Sequence, residues 1–214
     1  MIQSLLVGFF FTLVLLAQPL YASETKQKIV IMRHGEKPPG GLGQLNCQGL
    51  NRSLALPAVL NKKFGKPDEI FAPNPGVKIL GVSPGYNYIR PLATIEPTAI
   101  FHSMPVNTEY GFDKSSKIAK HLLQYDKHQK LIFVAWEHFN AAEIAKKIVE
   151  TLGSTISIPT WHGADFDSLY ILDIAWGSPT TLQFTHDQEG LNNLPRTCPQ
   201  GPAKGTDLAS KNPG

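Results

Sequence analysis

A short β-branched run that ends on charged residues constrains this chain more than any other feature. Ile29-Val30-Ile31-Met32 is too short for a helix and reads as a strand buried on both faces. It runs straight into Arg33, His34 and Gly35. An imidazole and a guanidinium therefore stand at the carboxyl end of a core strand, where open α/β sheets place their ligands. Arg offers a planar fork of donors to an oxyanion, and neutral His is a nucleophile. Gly35 lets the chain turn sharply or approach a ligand closely. A second run repeats the arrangement. Leu131-Ile132-Phe133-Val134-Ala135 leads through Trp136 and Glu137 to His138, with a helix from about Ala141.

The intervening chain alternates strands and helices, which predicts an α/β fold. Pro67 to Ala72 reads as a strand, and Pro73 to Asn87, rich in Pro, Gly and Asn, as a loop. Tyr88-Ile89-Arg90-Pro91 opens a helix reaching about Phe101, with Pro91 in the first turn. That position sets the Arg90 fork beside free backbone N–H groups. Apolar spacing predicts further helices over Ser115 to Tyr125 and through Ile144, Ile148 and Leu152. Leu169 to Ile174 and Thr181 to Thr185 read as the last strands, joined by a Gly-Ser-Pro turn, and Trp161 to Asp167 as a wall of the pocket. Gly40 to Asn46 is a Gly-rich turn that lacks the Lys-Ser/Thr ending of a P-loop. Arg52 faces either the pocket rim or the helix surface. His102, His121, His128 and His186 have no supporting pattern and read as surface residues.

Strand-Arg33-His34-Gly35, then Arg90 with Thr94 one turn on, then His138 with Asn140 downstream, resembles the histidine phosphatase (phosphoglycerate mutase-like) superfamily over roughly residues 28–185. The resemblance implies a three-layer α/β/α sandwich with a mainly parallel central sheet. It implies hydrolysis of phosphomonoesters through a phosphohistidine on His34, with Arg33, Arg90 and His138 binding phosphate and no metal or cofactor. A loop carboxylate would protonate the leaving oxygen. Glu109 stands in that part of the chain, with Glu96 and Asp113 as alternatives. Gly40 occupies the position of the mutases' Asn, and Phe139 follows His138 where the acid phosphatase and phytase branch has Asp. The small branch-one phosphatases are the better match. A catalytically silent phosphate- or phosphoprotein-binding module on the same fold is the alternative.

A 214-residue chain with 42% hydrophobic and 17% charged residues suits one globular domain. A net charge of +3 with no basic run excludes a nucleic-acid binder and admits a small phosphorylated substrate or a phosphoprotein. Residues 1–22 read as a signal peptide. Leu5 to Leu16 is apolar and uncharged, too short for a bilayer span, and cleavage is expected after Ala22. The remaining 23–214 form the domain, with an irregular tail from about 195, exported to the periplasm or medium without stable membrane insertion. In an oxidising compartment the two cysteines, Cys47 and Cys198, are expected to pair.

Overall fold

β1 (Thr25–Arg33) lies at the centre of a five-stranded sheet ordered β2-β3-β1-β4-β5. The computed structural model describes residues 25–79 and 85–200, so the stretch expected to be a leader and the tail from 201 lie outside the described residues. The other strands are β2 (Glu69–Phe71), β3 (Leu131–Trp136), β4 (Ser168–Trp176) and β5 (Thr181–Gln188). The helices are α1 (Cys47–Phe64), α2 (Arg90–His102), α3 (Ser115–Leu122) and α4 (His138–Thr151).

β1, β3 and β2 are parallel, but β4 runs antiparallel to β1, and β5 antiparallel to β4. The expected mainly parallel sheet thus holds for one half only. The reason lies in the connections. No helix lies between α4 and β4, so the segment before β4 carries the chain back to the carboxyl edge, where Leu169 pairs with Met32. β4 and β5 are then joined by a tight turn, which only antiparallel strands allow. One consequence is functional: residues 161–167 arrive directly above the end of β1.

Successive β1 residues feed two separate cores, as the period of a strand requires. Ile29 and Ile31 join Ile132, Val134 and Trp136 with residues of α3 and α4. Val30 and Met32 join Phe133 and Ala135 with Leu56, Leu60, Ile95 and Ala99 from α1 and α2. Both halves of the β1 run are fully buried, which fixes the strand and holds its charged end in place.

Cys47, the first residue of α1, is disulfide-bonded to Cys198, with Cα atoms 4.4 Å apart. Asn51 Nδ2 donates to Pro195 O (2.8 Å) and Thr197 O (2.9 Å), laying the irregular tail across α1. No helix among the described residues is long and apolar enough to cross a membrane.

Candidate functional site

Arg33 is opposite Trp136 in the parallel β1–β3 register, and His34 N donates to Trp136 O (2.9 Å). His34 and the Glu137-His138 pair therefore leave the sheet side by side. His34 is buried, 1% exposed. Its Nδ1 lies 2.7 Å from Gly35 O, and a carbonyl only accepts, so the proton sits on Nδ1 and the lone pair on Nε2. Burial pushes its pKa well below the usual value, helped by the charges of Arg90, Arg33 and Lys37, while the Gly35 carbonyl opposes. The ring is neutral and nucleophilic at neutral pH. Tyr88 and Phe166 flank it, with ring centroids 5.9 Å and 6.2 Å away.

The turn after His34 is held from two sides. Gly35 N donates to Thr94 Oγ1 (2.9 Å), and Thr94 Oγ1 donates to Arg90 O (2.8 Å), linking the imidazole's backbone to the first turn of α2. On the other side α1 presses against it. A Cβ on Gly35 would lie 2.9 Å from Gly49 O, and one on Gly49 2.4 Å from Glu36 O. Only glycine fits either position. Asn46 caps α1 by accepting from Gly49 N (2.9 Å), and its own N–H donates to Glu36 O (2.9 Å).

Two buried guanidiniums converge here without a carboxylate partner. Arg33, 1% exposed, uses Nη1 to donate to Gly163 O and Asp165 O, both 2.8 Å away. Its Cζ lies 3.8 Å from the centre of the Phe166 ring. Desolvation lowers its pKa to about 10, partly opposed by Glu137, Tyr88 and Asp165, so it stays charged at neutral pH. Arg90, 5% exposed, donates from Nη1 to Gly41 O (2.5 Å), and its Cζ lies 4.7 Å from the centre of the Tyr88 ring. The Nε of each arginine is buried and has no hydrogen-bond partner.

Two of the backbone N–H groups at the start of α2 are taken up by the chain itself. Gly43 O accepts from Ile89 N (3.1 Å) and Arg90 N (3.0 Å). This gives the Gly-rich turn its purpose, since Gly43 has φ of +69° and a Cβ there would meet Asn87 O at 2.0 Å. The turn caps α2 and holds Arg90. At the α4 N-terminus Glu137 accepts from Phe139 N and Asn140 N, both 3.1 Å.

His138 begins α4, with Nδ1 in ion-pair contact with Glu137 Oε1. That nitrogen lacks hydrogen-bond alignment, so the contact is electrostatic. Burial lowers the His138 pKa and Glu137 raises it, while Arg33 and Lys37 lower it further. A Cβ on Gly163 would lie 3.6 Å from His138 Nε2, so that nitrogen faces the same 161–167 loop that holds Arg33. The loop, which the sequence suggested as a pocket wall, packs over Arg33 and His138. Trp161 Nε1 donates to Asp165 O (3.2 Å), and the Asp165 carboxylate accepts from Asp167 N (2.9 Å) and Ser168 N (3.1 Å).

Glu109 makes no contact with this cluster. Asn107 pairs with β2, its N–H donating to Ile70 O (2.8 Å), and its side chain accepts from Glu109 N (2.9 Å). Glu109 is left exposed beside Tyr110, whose hydroxyl bonds His121 Nδ1 at 2.8 Å. Glu96 is exposed on α2, and Asp113 is paired with Lys114. The carboxylate that acts on Arg33 and His138 is Glu137, which sequence reasoning passed over although it sits inside the motif.

Arg52 faces neither pocket rim nor surface. It is fully buried and binds Glu36 (2.8 Å), Asp167 (3.0 Å) and Glu189 (2.5 Å). His102 is likewise buried at the end of α2, and His121 is half-buried; His186 is exposed, though its Nε2 lies 2.7 Å from Ser168 Oγ. The Arg52 network clamps Glu36, next to Gly35, to the start of β4 and the end of β5. Among the described residues no group of three or more His, Cys, Asp or Glu is placed to hold a metal.

No family model matches the chain, and no curated protein matches it. Solved structures do. A mycobacterial glucosyl-3-phosphoglycerate phosphatase aligns with a TM-score of 0.50 at 13% identity, over 74% of this chain and 97% of that one. The protein histidine phosphatase SixA, solved with tungstate, aligns with a TM-score of 0.51 at 12% identity, over 76% of this chain and 97% of its own. At such identities the likeness establishes fold and nothing finer.

Proposed function

We propose that this chain, which has the fold of the histidine phosphatase superfamily, is a phosphomonoester hydrolase that works through a phosphohistidine on His34. The carrying observation is the pair of buried arginines beside a neutral buried imidazole. Burying unpaired cations is costly, and a phosphoryl group bound between them would supply the missing charge. Arg33 and Arg90 would bind the equatorial oxygens through their unpartnered Nε groups and remaining fork donors. His138, whose pKa burial lowers against the pull of Glu137, would donate a further hydrogen bond from Nε2 once a bound phosphoryl group adds its charge to that of Glu137.

His34 Nε2 attacks phosphorus in line, the P–O bond to the leaving group breaks, and the departing oxygen takes a proton. Water then attacks the phosphohistidine, releasing phosphate and restoring His34. The clamp neutralises the charge that spreads over the oxygens as the bond breaks, the main demand of phosphoryl transfer. This chemistry asks for no metal or cofactor. Substrates would be small phosphorylated molecules or a phosphoprotein. The two cores fed by alternate β1 residues support a three-layer sandwich. The disulfide supports export to the periplasm or medium, with residues 1–22 as a cleaved leader and 23–214 as one domain.

A second reading, a phosphate- or phosphoprotein-binding module without turnover, is favoured by the exposed position of Glu109, which leaves the leaving group without the expected acid. Turnover separates the two. The purified protein should hydrolyse members of a phosphomonoester panel over many cycles, and His34→Ala should lose activity by at least about a thousandfold. Binding of phosphate without hydrolysis of any substrate would favour the silent module.

A further inference from the structure

A cavity of about 570 Å³ opens beside Arg90, walled by Lys37, Pro38, Pro39, Ile79 and Tyr86. Its volume lies in the range of small-molecule pockets, far larger than a phosphoryl group needs. One wall is the turn fixed to α2 through Gly41 O and Gly43 O. The other is the pairing of Lys78 with Asn87, where Ile79 N donates to Tyr86 O (3.1 Å). We propose that this cleft holds the leaving group, and that Lys37 receives a second anionic group on it. The preferred substrates are then phosphomonoesters with a further negative charge on an organic moiety that packs against Pro38, Pro39, Ile79 and Tyr86.

The inference rests on the phosphatase reading and follows from the charges at the site. Arg33 and Arg90 together match a dianionic phosphoryl group. Glu137 matches His138 when the latter is protonated. Lys37 is left over: among the described residues its ammonium makes no ion pair, and its charge reaches both His34 and His138. It stands at the edge of the cleft that Arg90 also lines. A neutral leaving group would leave that charge to solvent, and an anionic one would meet it at the mouth of a largely apolar cleft.

Binding of non-hydrolysable phosphonates tests this without relying on turnover. Calorimetry would compare a short series of alkylphosphonates with ω-carboxyalkylphosphonates of matching length. The carboxylated compounds should bind about three- to fivefold tighter, the upper range of a solvent-accessible ion pair. Lys37→Ala should abolish that preference and Lys37→Arg retain it. Equal affinity for both series at every length overturns the second-anion subsite while leaving the phosphate clamp standing. A preference that survives Lys37→Ala overturns the assignment to Lys37. If neither series binds, the phosphatase reading fails and the subsite with it.

Discussion

Two sets of arginines are buried in this molecule to nearly the same degree, and they are wired in opposite ways. Arg52 meets three carboxylates, Glu36, Asp167 and Glu189, and its pKa is driven up. Arg33 and Arg90 meet only backbone carbonyls and aromatic faces, and desolvation lowers the Arg33 pKa to about 10. A fully paired buried cation belongs to the fold. A buried cation whose hydrogen bonds go only to neutral groups, with carboxylates acting on Arg33 from beyond contact, is positioned for a further charge. The contrast also explains how the two sites cooperate, since the Arg52 network fixes Glu36, two residues beyond His34.

The largest effects should come from removing each kind of arginine. Arg52→Met would leave several carboxylates buried without their cation and should destabilise the fold by about 3–5 kcal/mol in urea unfolding. Arg33→Met or Arg90→Met should do the reverse, with stability near wild type but kcat/KM down by about a hundred- to a thousandfold, as for loss of one transition-state donor. Phosphate should raise the Tm of wild type and not of Arg33→Met. A destabilisation of Arg33→Met equal to that of Arg52→Met would erase the distinction.

A smaller effect is expected at Glu137. Glu137→Gln keeps an oxygen to cap α4 but removes the charge that favours the His138 imidazolium. The alkaline limb of the pH–rate profile should move to lower pH, with turnover falling about tenfold at slightly alkaline pH. Unfolding stability should change by less than about 1 kcal/mol, because the cap persists. An unshifted profile would mean Glu137 serves only the helix.

The smallest effect concerns the third carboxyl on Arg52. Desolvation pushes the Glu189 pKa up to about 8, against the pull of Arg52, from 4.5 for an unfolded chain. The folded state therefore holds a proton the unfolded state loses as pH rises through about 4.5, so this group's contribution to stability declines between there and pH 8. His34 and His138, with lowered pKa values, act oppositely, and their contribution is lost as pH falls below about 6.5. Glu189→Gln should remove the first slope, so the variant gains on wild type as pH is raised towards 8. Thermal unfolding at acid, near-neutral and mildly alkaline pH measures it.

The strands bearing His34 and His138 were legible in the sequence because each is a continuous apolar run, and a run of that length has few alternatives. Arg90 was legible through Pro91 and Thr94. The direction of β4 was not, since strand polarity depends on whether a helix intervenes, and the stretch after α4 carries no clear signal. The surroundings of Glu109 were not legible because position along the chain says nothing about which way a loop turns, and Asn107 ties this one to the edge of β2. Arg52 looked like a surface residue because its partners lie 16, 115 and 137 positions away. Glu137 stood in plain view, but its contact with His138 depends on its being the cap of α4.

Covalent trapping tests the central claim most directly. Rapid acid quench or denaturation of the protein during turnover of a phosphorylated substrate, followed by peptide mass spectrometry under mildly alkaline conditions, should find an acid-labile, base-stable phosphoryl group on His34. It should be absent from His34→Ala and should accumulate when water attack is the slower step. A His34→Ala protein that retains wild-type turnover, or a phosphoryl group found on another residue, would contradict the account.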